Sequence, residues 1–137
     1  MKKLLQLIRD TGVWAPVAVL VFHEFASVKG YRTQIDWINH FSGGLAFSYF
    51  AWKNIPFLVR WMGTPTVPGR LAATFLAGCS AAIWWEIAEF SSDVFLGSRI
   101  QRSIHETMVD EINGVLGTIT TVGILGVREY RSQRKVA

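Results

Sequence analysis

The sequence predicts an all-α integral membrane protein, a four-helix bundle with both termini cytoplasmic. Three observations carry this. Half of the 137 residues are hydrophobic (50%) and only 18% are charged, a balance that suits a lipid-embedded chain better than a soluble globule. Apolar runs close to the length of a membrane span recur between short polar connections. Lys and Arg are shared unevenly between alternate connections. A chain of this size is expected to form a single domain, residues 1–137.

The first predicted helix covers 11–28. Lys2-Lys3 and the apolar run Val13 to Phe22 have the outline of a signal peptide. However, Ala26-Ser27-Val28 is a poor cleavage site and Arg9-Asp10 interrupts the approach, so an uncleaved span is expected. The second helix starts at Asp36 and reaches Trp52, with an extension to 59; Pro56 sits near its end, where proline is tolerated. Gly63-Thr64-Pro65-Thr66-Val67-Pro68-Gly69 is the clearest loop. The third helix covers 70–93 and the fourth 106–127. About 20 residues are needed to cross the ~30 Å hydrocarbon core. The single Cys79 excludes an internal disulfide and reads as a buried thiol.

Orientation follows from the positive charges. Lys2, Lys3, Arg9, Lys53, Arg60, Arg70, Arg128, Arg131, Arg134 and Lys135 fall on one side, and Lys29, Arg32, Arg99 and Arg102 on the other. The richer side is expected to be cytoplasmic. Trp14, Trp52 and Trp61 then belong to the inner aromatic belt and Trp37 to the outer one. The net charge of +4 and pI near 9.6 are explained by this topology. No basic amphipathic stripe is present, so no nucleic-acid partner is expected.

The acidic residues and histidines show a separate asymmetry. His23 and Glu24 end the first helix, while Asp36 and His40 open the second. Glu86, Glu89 and Asp93 close the third, and His105, Glu106, Asp110 and Glu111 open the fourth. All of these converge on the outer half of the bundle; of the acids, only Asp10 and Glu129 lie at the other end. A charge near the bilayer centre costs roughly 2.5–3.5 kcal/mol on insertion scales, so such groups face the bundle interior or a wet cavity. Asp36 and His40 are i, i+4. Glu86, Glu89 and Asp93 are i, i+3, i+7, and Glu106, Asp110, Asn113 and Gly117 form one stripe. Gly43, Gly44, Gly114 and Gly117 allow close helix approach beside these faces.

Several carboxylates at one place need either protons or cations. Arg99, Arg102, the histidines or a metal ion can supply the positive charge. Carboxylate with imidazole suits Zn, Mn or Fe, and carboxylate alone suits Mg or Ca. His105-Glu106 does not begin a His-Glu-x-x-His zinc motif. The plain alternative is a structural network, with the acids paired to Arg99 and Arg102 and with Asp36 and Glu106 capping their helices. His23, Glu24 and Glu111 are readable as ordinary packing or solvent-facing residues, and Trp84-Trp85 as lipid-facing or packing side chains.

Four segments together resemble the YjdF-like family of small bacterial inner-membrane proteins. They are Asp36-Trp37-Ile38-Asn39-His40-Phe41-Ser42-Gly43-Gly44, Glu86-Ile87-Ala88-Glu89-Phe90, Asp93-Val94-Phe95-Leu96-Gly97, and Glu106-Thr107-Met108-Val109-Asp110 followed by Gly117. Glu106 stands where that family prefers Asp, and the loop before it is short. A fainter likeness to VanZ-like proteins rests on the order of the acids. It departs from their pattern at Glu89, where they have Gln, and in the spacing of Asp110 and Asn113. The YjdF-like resemblance implies a polytopic bundle with an acidic-histidine core and brings no established activity.

The expected function is a divalent metal site acting on a lipid or cell-envelope substrate by hydrolysis or group transfer. Asp36, His40, Glu86, Glu89 and Asp110 would be ligands, and Glu106 or Asp93 would transfer protons. Arg99 and Arg102 would hold a phosphate. The alternative is a non-enzymatic accessory, ion-binding or transport subunit with a structural polar core. Membrane lipids are the expected partners, with a homo-oligomer or larger membrane complex also compatible, and the bacterial inner membrane is the expected location.

Overall fold

A computed structural model describes residues 2–135, apart from the side chains at positions 32, 33, 59, 60 and 62. Arg32 and Arg60, which enter the charge count above, thus have side chains outside the described residues. Five helices follow one another: α1 (Lys2–Thr11), α2 (Trp14–Val28), α3 (Arg32–Met62), α4 (Val67–Leu96) and α5 (Ile104–Gln133). No strand occurs among the described residues.

Helices α2–α5 correspond to the four expected ones, and α1 is an additional helix ahead of them among the described residues. The first predicted helix is realised as α2, and Gly12, whose φ of +70° belongs to the left-handed region that glycine enters without penalty, separates it from α1. The flanking helices α1 and α2 meet at 88°. Two helices, α4 and α5, are long and apolar enough to cross a membrane, whereas α1 and α2 qualify only as one bent pair. Among the described residues α3 does not qualify; it carries polar side chains into the bundle, with Asn39, His40 and Ser48 all buried.

Helix α3 is the central element and packs against α2, α4 and α5. Glycine makes this possible. A Cβ on Gly44 would overlap the carbonyl of Gly114, and one on Gly117 would overlap that of Phe41. Gly78 of α4 lies against Ser48 and Thr118 in the same way. Thr121 Oγ1 donates across the α3–α5 contact to the Leu45 carbonyl at 3.2 Å. Gly43, by contrast, has open space beside it. The centre is thus made of small residues: Thr74, Thr118 and Ser48 are the largest fully enclosed side chains among the described residues. The large apolar side chains, such as Leu76, Ile83, Trp84 and Phe90, face outward, which fits a protein solvated by lipid.

Helix α3 also runs on through Pro56 to Met62. Proline has no N–H, so the carbonyl four residues earlier loses its helical partner. That carbonyl is Trp52, and Arg70 Nη2 donates to it at 2.7 Å. The Arg70 guanidinium also stacks on the Trp52 ring at 3.6 Å. Trp52 is consequently buried rather than part of an interfacial belt, while Trp14 and Trp61 are exposed as expected. Cys79 is free and half-buried, less enclosed than expected.

Candidate functional site

The cluster is built on three helices that the glycine contacts draw together. Helix α3 starts one turn before Asp36, so Asp36 is an interior residue of the helix rather than its cap. One turn on, His40 is buried at 9% exposure. Its Nε2 lies 3.7 Å from Asp36 Oδ1 and 3.8 Å from Asp110 Oδ2. On the other side of the ring, Nδ1 lies 3.4 Å from Glu86 Oε1. His40 thus stands between carboxylates from its own helix, α4 and α5.

Glu86 and Asp110 are both buried. One ligand atom from each of His40, Glu86 and Asp110 can be chosen so that all lie within 4.8 Å of one another. Glu86 Oε1 and Asp36 Oδ1 are buried oxygens without a hydrogen-bond partner. Such oxygens are costly to enclose, and both face the imidazole. These residues fit a divalent transition ion: an imidazole nitrogen and carboxylate oxygens converge, and the second ring nitrogen faces a carboxylate that can orient it.

The other expected site residues lie around this centre. Glu89, one turn beyond Glu86, accepts the Trp85 indole N–H at 3.1 Å. Both oxygens of Asp93 hold the α4–α5 loop: Oδ1 accepts from Ser98 Oγ and the Ile100 amide, both at 2.5 Å, and Oδ2 accepts from the Gln101 amide at 2.8 Å. Arg102 pairs with Glu106 at 2.5 Å and reaches Asp36 at 3.8 Å. Arg99 is exposed on the loop with a φ of 58°. Glu106 is in the first turn of α5 behind the cap Ser103, whose Oγ accepts the Glu106 amide at 3.2 Å. Glu24 and His105 are exposed.

Gln101 is the residue that the sequence reading missed. Its amide nitrogen donates to Glu86 Oε2 at 2.9 Å and to the Glu86 carbonyl at 3.1 Å. It closes the loop over the carboxylate of a buried ligand candidate. It has no helical period to betray it; its only signal is its place between Arg99 and Arg102 in a short loop above the cluster.

Beside the cluster is a mostly apolar cavity of about 40 Å³ that includes His40, Val19, Leu20, Phe47 and Trp85 in its lining. His23 stands at its polar end, 3.4 Å from Asn39 through its Nδ1 and edge-on to Trp85 at 5.6 Å. His40 therefore belongs both to the cavity wall and to the acidic cluster.

A family profile described as "Predicted membrane protein (DUF2238)" matches residues 11–131. The chain belongs to this family. The DUF2238 match runs from the α1–α2 elbow to the last turns of α5, and so takes in every helix that contributes to the cluster. An uncharacterized protein of Thermotoga maritima is 34% identical over 91 residues, which is 66% of this chain. The matched region spans 46% of that relative's length, so the chain corresponds to about half of it. No solved structure matches this DUF2238 protein.

Proposed function

We propose that this membrane protein holds a divalent transition-metal ion between His40, Glu86 and Asp110, and with it acts on a lipid or cell-envelope substrate by hydrolysis or group transfer. The observation that carries the reading is the buried His40 ring set between carboxylates of three helices, with two enclosed oxygens lacking hydrogen-bond partners. Bound there, such an ion supplies Lewis acidity and an activated water.

The protein's own groups take the remaining roles. Asp36 orients His40 from one turn away and is a fourth ligand candidate, and Glu89 stands behind Glu86 as a fifth. Gln101 fixes one oxygen of Glu86, leaving the other for the ion. Proton transfer falls to Glu106, which uses one oxygen toward Arg102, whereas Asp93 holds the loop with both of its oxygens. Arg102, and Arg99 in the same loop, would attract a phosphate. The cavity that shares His40 is mostly apolar and, at about 40 Å³, has room for a small group or water beside the ring. The YjdF-like resemblance and the DUF2238 family describe, in this reading, one group of multi-pass proteins of the bacterial inner membrane.

A second reading is favoured by the Arg102 pairs with Glu106 and Asp36: a structural ion network in a non-enzymatic accessory or transport subunit. Elemental analysis separates the two. Protein purified from cells without chelator is expected to retain a divalent transition metal, and His40→Ala and Glu86→Gln are each expected to lose it while keeping helical circular dichroism. Metal-free wild type that also fails to take up added Zn, Mn or Fe would leave only the network.

A further inference from the structure

We propose that α1 is a membrane-surface helix that docks on an anionic leaflet, at the end of the bundle opposite the His40 cluster. At about 100° per residue, Leu4, Leu5, Leu7 and Ile8 share one side of α1, and Lys2, Lys3, Gln6, Arg9 and Asp10 share the other. No residue of α1 is buried. Leu4, Leu5 and Leu7 are 60%, 62% and 58% exposed. A short helix with one leucine face and one basic face, lying across the bundle, has the form of an interfacial helix.

The bend is fixed by the fold. Asn54 Nδ2 of α3 donates to the Thr11 carbonyl at 2.7 Å, and the Ala15 amide donates to the Gly12 carbonyl at 3.1 Å. A Cβ at Gly12 would come within 2.9 Å of the Tyr49 ring. Trp14, next to the elbow, is exposed and packs against Tyr49 at 5.9 Å, as an interfacial aromatic does. Asn54 is eighteen residues along α3 from Asp36, which is about 27 Å of helical rise and close to the ~30 Å hydrocarbon thickness. The elbow therefore meets one face of the bilayer when the cluster is near the other.

Charge selects the occupant. Lys2, Lys3 and Arg9 of α1 share this end with Lys53, Arg128 and Arg131, while Asp10 and Glu129 are the acids there. A second copy of the chain would bring the same positive charge to the contact. A leaflet rich in anionic lipid complements it, at about fivefold in binding for each basic residue near the surface.

The test uses the full chain with Cys79→Ser and Leu5→Cys, labelled at position 5 with an environment-sensitive fluorophore and reconstituted in vesicles. In phosphatidylcholine with phosphatidylglycerol, the emission is expected to shift to the blue and the label to resist quenching by acrylamide. Lys2→Gln, Lys3→Gln and Arg9→Gln are each expected to lower the ratio of docked to undocked label about fivefold. A label that stays open to acrylamide in these vesicles overturns the proposal. So does equal protection in pure phosphatidylcholine, and so does protection that rises with protein density, which assigns the face to self-association.

Discussion

Individual glycines decide how closely the helices that form the cluster approach. Gly44 and Gly117 each leave no room for a Cβ because a backbone carbonyl of the facing helix occupies it. A carbonyl in a helix cannot swing aside, so Gly44→Ala and Gly117→Ala force α3 and α5 apart. Each is expected to destabilise the protein by about 1–3 kcal/mol, as overpacking does, with a lower thermal midpoint in detergent. Gly123→Ala is the control: it meets nothing within 4 Å and gains helix propensity, so its midpoint should not fall. An unchanged midpoint for Gly44→Ala would deny the close contact. The sequence marked Gly43 and Gly44 alike, because spacing does not say which of two neighbours faces a partner. The same limit applied to the acids. The pairing of Asp36 with His40 was legible because i, i+4 residues share a helical face. Glu86 and Glu89 share a face too, yet among the described residues it is Glu86 that groups with His40 and Asp110. Gln101 and the loop role of Asp93 were beyond reach, because both arise from a chain reversal that no helical period encodes.

Helix α3 keeps its full length because of a single residue on its neighbour. Pro56 suggested an end to α3, and the helix continues because Arg70 of α4 supplies the missing donor to the Trp52 carbonyl. Arg70→Ala should therefore orphan that carbonyl and cost about 1–3 kcal/mol, with a smaller further loss from the stacked Trp52 ring. In a Pro56→Ala background the helix regains its own N–H, so the cost of Arg70→Ala should shrink by about 1 kcal/mol. A double-mutant cycle measures this coupling. Strictly additive costs would show that Arg70 acts through the ring or through charge instead. Only the contact across helices makes this rescue visible. The four long apolar runs were readable from composition and period, and α2 to α5 realise them with ends shifted by a few residues. The α1–α2 elbow was not readable, because Thr11-Gly12 resembles the start of a span as much as a break within one.

At the scale of the whole molecule, two opposite polarities run along the bundle. The acidic and histidine residues gather where α3 and α5 begin and α4 ends, and the basic residues gather at the α1–α2 elbow, the α3–α4 loop and the end of α5. Positive charge resists translocation, so the basic end should be cytoplasmic and the cluster should lie toward the outer face. Single cysteines in a Cys79→Ser background test this in intact cells. Arg99→Cys, in the exposed loop above the cluster, should react with a membrane-impermeant maleimide. Thr64→Cys, in the exposed α3–α4 loop, should react only after the membrane is permeabilised. The reverse pattern would turn the molecule over and place the cluster beside the cytosol. A substrate would then have to come from the inner leaflet, and α1 would lie on the outer one. The labelling experiment therefore fixes which leaflet supplies any lipid that reaches His40, independently of whether a metal is bound there.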